Sequence, residues 1–210
     1  MDIRNRFSAL AGALIATLLC IPTASWAAFV YDESVDGDLS GDGLTPTVLA
    51  AGSGANSLTG STISGDLDYF TFNIADGLTL DSIILVAFSS SDDNELAFMS
   101  VLSGPVFNVP PDITDPSDLL GWVHIGAFLV GTDILDDLGN GSGAIGFTPP
   151  LPSGDYSFWI QQTGDEQVDY SLQFNVSGAA VPVPAALYLF GSGLLTLGGY
   201  VRARSRNRAA

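Results

Sequence analysis

From residue 28 to residue 181 the chain contains neither lysine nor arginine. All six basic residues lie at the ends, Arg4 and Arg6 before this stretch and Arg202, Arg204, Arg206 and Arg208 after it. Of the 23 acidic residues only Asp2 lies outside, so 22 lie inside, with His124 as the one partial positive charge. An average chain of this length would carry roughly twenty basic residues there. Whatever the middle folds into cannot be held by Lys or Arg ion pairs. Its stability has to come from an apolar core, hydrogen bonds and bound cations. Nucleic acid, anionic lipid and phosphate ligands are poorly served by such a surface. Cations are well served, and Ca2+ is the one cofactor the composition points to, because carboxylates and carbonyls are its ligands and the space outside cells is rich in it. A self-repelling coat that only keeps the protein soluble explains the same charge.

Aromatic and β-branched residues are too frequent in the middle for disorder, and its length suffices for one domain with one core. Asp169 to Val176 alternates polar and apolar without a fault, placing Tyr170, Leu172, Phe174 and Val176 on one face of a half-buried strand. Phe70, Phe72 and Ile74 repeat that period, as do Tyr156, Phe158 and Ile160. Leu80 to Phe88 is more continuously apolar and reads as a central strand. Further strands are expected near Phe29 to Tyr31, Ser57 to Ile63, Leu96 to Leu102 and Leu120 to Val130. Asp76-Gly77, Ser153-Gly154 and Gly164-Asp165 mark turns, and Pro105 to Pro116 and Gly139 to Gly146 read as surface loops. No segment of the middle keeps a 3.6-residue period over three turns. The expected fold is all-β, an antiparallel sandwich or jelly roll of about eight strands over residues 28–178, flanked by a signal helix and a C-terminal transmembrane helix.

The ends carry addresses. Arg4 and Arg6 precede an apolar stretch from Ala9 to Ile21, and Ser25-Trp26-Ala27 places small residues where a signal peptidase reads, so residues 1–27 are expected to be removed after Ala27 by the general secretion machinery. Cys20, the only cysteine, falls in that segment, leaving no disulfide, thiolate metal site or cysteine nucleophile in the domain. At the other end an apolar run of 17 residues, Ala185 to Val201, stands at the lower edge of what spans a bilayer, and the four arginines of 202–208 form a cytoplasmic stop that leaves the preceding chain outside.

Val181-Pro182-Val183-Pro184-Ala185-Ala186, followed by Gly191-Ser192-Gly193 and the arginine cluster, resembles the PEP-CTERM sorting tail of Gram-negative bacteria. The likeness covers residues 179–210, and Val183 stands where the usual motif has Glu. It implies that an exosortase, a membrane-embedded cysteine protease, cuts near Val181 to Pro184 and releases or transfers the exported protein. A simple membrane anchor without processing is the other reading of the same tail.

A second likeness runs through the middle. Gly65-Asp66-Leu67-Asp68-Tyr69-Phe70, then Asp92-Asp93-Asn94-Glu95, then Leu151-Pro152-Ser153-Gly154-Asp155-Tyr156, and Tyr170-Ser171-Leu172 are similar to the bacterial pre-peptidase C-terminal domain, a small β-sandwich of secreted and surface proteins. The resemblance implies an adhesion, substrate-binding or secretion module, in some members with Ca2+, and no catalytic role.

Asp36-Gly37-Asp38-Leu39-Ser40-Gly41 has the first half of an EF-hand loop, but the twelfth position is Thr47 where a bidentate Glu is needed. Asp36 and Asp38 could instead join Asp66 and Asp68, which lie two apart on an extended strand and so point to one face. These four are the candidate Ca2+ ligands, set against a plain acidic turn. Asp92, Asp93 and Glu95 form a second cluster, set against a solvated hairpin tip, and His124 with Trp122 reads as a strand-face pair.

No Gly-x-Ser-x-Gly elbow, His-Glu-x-x-His or second histidine is present in the sequence, and no Lys or Arg in the domain could steady an oxyanion. Only glycoside hydrolysis, which needs two carboxylates, survives on composition. The expected function is non-enzymatic: an exported cell-surface or matrix protein, membrane-anchored before processing and linked to exopolysaccharide or biofilm material. The alternative is a Ca2+-dependent glycan- or protein-binding module in which Trp122, Trp159 and Tyr156 supply a platform.

Overall fold

The computed structural model describes residues 28–178 except Asp93 and Ile113. The signal segment with Ala27, the Val181 to Pro184 motif, the apolar span and the arginine stop lie outside the described residues. Within them nine strands form two sheets: β1 (Val30–Asp32), β2 (Thr47–Leu49), β3 (Gly54–Thr62), β4 (Leu67–Ile74), β5 (Leu78–Ser90), β6 (Ala97–Ser103), β7 (Gly121–Ile125), β8 (Gly154–Gln162) and β9 (Val168–Gly178). The first sheet has the order β1-β3-β9-β5 and the second β2-β4-β8-β6-β7. Among the described residues helix is confined to single turns at Glu33–Asp36, Pro116–Asp118, Ala127–Leu129 and Leu135–Gly139. Among the described residues no helix is long and apolar enough to cross a membrane.

The expected alternation sets the core. Leu172, Phe174 and Val176 of β9 are 0–2% exposed, while Ser171, Gln173 and Asn175 between them stay half-buried. β9 runs antiparallel to β3 from Gly54↔Val176 to Thr62↔Val168, and β4 runs antiparallel to β8 from Leu67↔Gln161 to Ile74↔Gly154. The inner faces meet through aromatic rings. Phe70 stacks on Phe158 at 5.1 Å, and Phe174 of the other sheet presents its edge to Phe72 at 5.3 Å and to Phe158 at 5.7 Å. Ring pairs at this spacing add to what burial alone contributes.

Four features depart from the sequence reading. The sandwich is not wholly antiparallel, because β1 pairs with β3 and β2 with β4 in parallel. Residues 33–53 carry the chain out of the first sheet, along the edge of the second as β2 and back to β3, and such a crossover is what parallel pairing requires. The run Leu80 to Phe88 lies in an edge strand, not a central one. Its apolar character serves a second cover: Leu85 and Ile83 exchange backbone hydrogen bonds with the segment Gly131 to Ile134, and Leu80 with Leu151, so the edge is closed by loops. The expected strand Leu120 to Val130 stops at Ile125.

Finally, the Pro105 to Pro116 stretch is not merely a surface loop. Phe107 and Val109 fold onto the outer face of the second sheet, where they bury Tyr69 and Trp159 with Leu102 and Leu119 in a second cluster. β4 and β8 are thereby covered on both faces.

Candidate functional site

Asp68 shares the inward face of β4 with Phe70, Phe72 and Ile74, because side chains two apart on a strand point the same way. The sequence therefore drives a carboxylate into the end of the inter-sheet core, and Asp68 is 0% exposed. Across the gap the Tyr170 hydroxyl of β9 donates to Asp68 Oδ2 at 2.7 Å. Asp68 Oδ1 is buried with no partner.

Two further carboxylates close on it. Glu33 starts the one-turn helix Glu33–Asp36, whose N-terminus Asp32 caps by accepting from the Ser34 amide. The Glu33 carboxylate accepts the Leu39 amide at 3.1 Å and the Ser61 amide at 2.7 Å, tying the 33–39 loop to β3. Asp38, exposed at the rim, completes the group: Glu33, Asp38 and Asp68 each offer an oxygen within 4.8 Å of the others. Gly60, paired with Tyr170, makes room for the arrangement. A Cβ there would stand 2.6 Å from the Tyr170 hydroxyl and 3.0 Å from the Glu33 carboxyl carbon. Gly60→Ala is expected to push the tyrosine off Asp68 and to destabilise the fold by about 1–3 kcal/mol, read as a lowered denaturant midpoint.

The electrostatics are those of like charges crowded without a counterion. Burial pushes the Asp68 carboxyl up to about 8, with Glu33, Asp66 and Asp38 adding to the rise and the Tyr170 hydrogen bond opposing it. Burial also raises Glu33, against the pull of its two amide donors, and raises Asp66 with help from Asp38. The Tyr170 hydroxyl is held well above its ordinary value by burial and then by Asp68. A divalent cation would relieve each of these at once. Oxygens bound to one Ca2+ at 2.3–2.6 Å lie up to about 5 Å apart, which the three carboxylates satisfy. The donors are all hard oxygens, with neither sulfur nor imidazole in the group, and this chemistry selects Ca2+ over zinc or copper.

The predicted ligands divide accordingly. Asp38 and Asp68 are brought together. Asp66 is half-buried beside them and acts on Asp68 through its charge, outside the three-carboxylate group. Asp36 is turned away, exposed, with its Oδ2 accepting the Asp32 amide at 2.9 Å, so it closes its own helical turn instead of facing the cluster. Glu33 takes the place expected of Asp36. The only sequence signal for it is that acids crowd from residue 32 onward; its position depends on the parallel β1–β3 pairing, which local pattern does not encode. The EF-hand likeness stops at the turn, since Asp42 accepts the Leu44 amide and the Thr45 hydroxyl, and Thr47 accepts the Ser40 amide.

The second acidic cluster disperses. Asp92 caps Asn94 at 2.9 Å, Glu95 Oε1 accepts from the Gln162 amide at 2.8 Å, and Asp93 lies outside the described residues. The three-ring platform is also not formed as expected. Tyr156 faces the inner core and Trp159 is 1% exposed, while Trp122 alone stays half-exposed, against Phe98 and His124.

No protein-family model matches the chain, and no curated protein matches it. Among solved structures, it is similar to the Aeromonas hydrophila periplasmic lysozyme inhibitor PliG, an inhibitor of g-type lysozyme, at 19% identity and a TM-score of 0.34, over 62% of this chain and 96% of that one. It is likewise similar to the Salmonella Typhimurium PliG at 17% identity and a TM-score of 0.30, over 63% of this chain and all of the other.

Proposed function

We propose that the chain is an exported, non-catalytic β-sandwich whose acidic corner takes up one Ca2+ outside the cell, and whose tail is read by an exosortase-type protease that leaves the domain at the cell surface or in polysaccharide-rich extracellular material. The observation that carries the cation is the Asp68 carboxylate, fully buried with one oxygen unpartnered and two other carboxylates within reach. A buried carboxylate that lacks a counter-charge is costly, and a cation is what makes such a cluster favourable. The export signal at residues 1–27 and the PEP-CTERM-like tail support delivery to a compartment where Ca2+ is plentiful. Extracellular modules bind it with dissociation constants of about 10⁻⁴–10⁻³ M, a range in which the domain would stay apo in the cytosol and load once outside.

Mass spectrometry of the protein recovered from cells tests the sorting half. The expected product starts after Ala27 and lacks everything beyond about Val181. An intact C-terminus in the membrane fraction would reduce the tail to a simple anchor.

A further inference from the structure

The outer face of the second sheet carries a recess that the cation does not involve. β6 and β7 set Phe98 opposite His124 and Ser100 opposite Trp122. Phe98 stacks on Trp122 at 5.9 Å, and the His124 ring stands edge-on to both, at 5.8 and 5.4 Å. The Trp122 indole N–H donates to the Ser142 carbonyl at 3.0 Å, which fixes that ring as a wall. With Thr114 and Leu119 these residues line a hollow of about 220 Å³, and a second of about 140 Å³ shares Phe98 and His124 and adds Trp159 and Gln161.

Two polar atoms beneath this face lack partners. Ser100 Oγ and Trp159 Nε1 are buried without a hydrogen bond, on residues 0% and 1% exposed that face each other in register between β6 and β8. Both atoms are shielded from solvent, so the polar groups open to a ligand are those that line the two hollows.

We propose that this double recess binds successive sugar rings of a neutral polysaccharide. The half-exposed rings of Trp122 and Phe98 offer apolar surface to the C–H face of a pyranose, and Thr114, His124 and Gln161 offer uncharged polar groups to its hydroxyls. Charge decides against the alternatives. With 22 acids and no Lys or Arg from residue 28 to 181, the surface repels uronate, phosphate or sulfate polymers. Among the described residues no carboxylate lines either hollow, so a cationic ligand would favour the acidic corner over this face. Drug-sized apolar ligands need about 300 Å³ or more in one cavity, whereas two adjoining smaller hollows suit two linked rings. This deepens the surface role proposed above and rests on it for where such a polymer is met.

The test is affinity electrophoresis of the full chain in mild detergent, through gels cast with galactomannan, dextran or hydroxyethylcellulose, and with alginate as an anionic polymer. Retardation by at least one neutral polymer and none by alginate is expected, with about tenfold weaker binding for Trp122→Ala, which also melts lower because the ring is packed, and about tenfold weaker binding at unchanged melting temperature for the more exposed His124→Ala. No retardation by any neutral polymer, equal retardation by alginate, or wild-type binding by His124→Ala would overturn it. Cell fractionation separates the two proposals. Export without polymer binding sinks this inference alone, and polymer binding by a protein retained in the cytosol sinks the surface role alone.

Discussion

Asp68→Asn will raise the melting temperature of calcium-free protein at pH 8 and, in the same protein, abolish the rise that calcium gives the wild type. Both effects come from one carboxylate. The folded state holds a proton on Asp68 up to about pH 8, whereas the unfolded chain loses it near 3.8. Between these values the native state binds more protons than the unfolded one, so calcium-free stability falls as pH rises across the window of about 4 to 8. At about 1.4 kcal/mol per pKa unit, this fall amounts to something on the order of 2–5 kcal/mol by pH 8. Asn carries no charge to bury and still presents an oxygen to the Tyr170 hydroxyl, so the loss disappears. For a domain of this size each kcal/mol is worth about 2–4 °C, which puts the gain at about 5–15 °C in EDTA. Wild type in millimolar calcium should recover part of this, about 1 kcal/mol or a few °C for the dissociation constant given above, because the ion stabilises the ionised carboxylate, and the recovery should grow with pH. With the buried charge removed, Glu33 and Asp38 are left alone at the rim, and calcium should then shift the melt little. Scanning calorimetry at pH 5 and pH 8, with and without calcium, reads all of this, and a variant that melts lower than wild type in EDTA at pH 8 would refute it.

Phe174→Ala is expected to cost about 3–5 kcal/mol, the range for deleting a buried aromatic ring. Phe174 is 0% exposed and carries the aromatic contacts of β9 with the opposite sheet, edge-on to Phe70, Phe72 and Phe158 and tilted on Phe29 at 6.1 Å. Four rings would lose a neighbour together, and strands held in two hydrogen-bonded sheets cannot collapse to refill the space. Domains of this kind have about 5–15 kcal/mol in total, so a large share goes with one side chain. With no Lys or Arg between residues 28 and 178, no ion pair from those residues compensates. A urea midpoint shifted by less than the equivalent of about 1 kcal/mol would show that the aromatic contact between the sheets is not what holds them.

These two residues also show what the sequence makes legible. Phe174 could be placed beforehand, because Tyr170 to Val176 keep a faultless two-residue period and one face had to be buried. Asp68 could be placed on the same ground, two before Phe70, and the period that made it a candidate ligand also made it inward-facing. Where side chains depend on a distant partner the signal fades. Glu33 reaches the cluster through a crossover that sets β1 beside β3, and nothing near residue 33 specifies that. Asn56 is similar: fully buried, it donates to the carbonyls of Gly52, Gly54 and Phe174 and accepts from the Phe29 and Gly52 amides, a junction invisible in an otherwise ordinary strand. The double cover of β4 and β8 was hidden because Phe107 and Val109 sit among prolines, where composition suggests only a loop. The edge position of β5 was hidden because loop-covered edges and central strands need the same apolar residues.

Isothermal titration of calcium into the EDTA-stripped, dialysed full chain at pH 7, run in two buffers of different ionisation enthalpy, bears most directly on the cation at the heart of this reading. One site per chain is predicted, with a dissociation constant of about 10⁻⁴–10⁻³ M and a net release of protons, because Asp68 is protonated before the ion arrives and ionised after. No binding at millimolar calcium, or binding without proton release that Asp68→Asn leaves intact, would mean that the acidic corner is a solvated surface and not a calcium site.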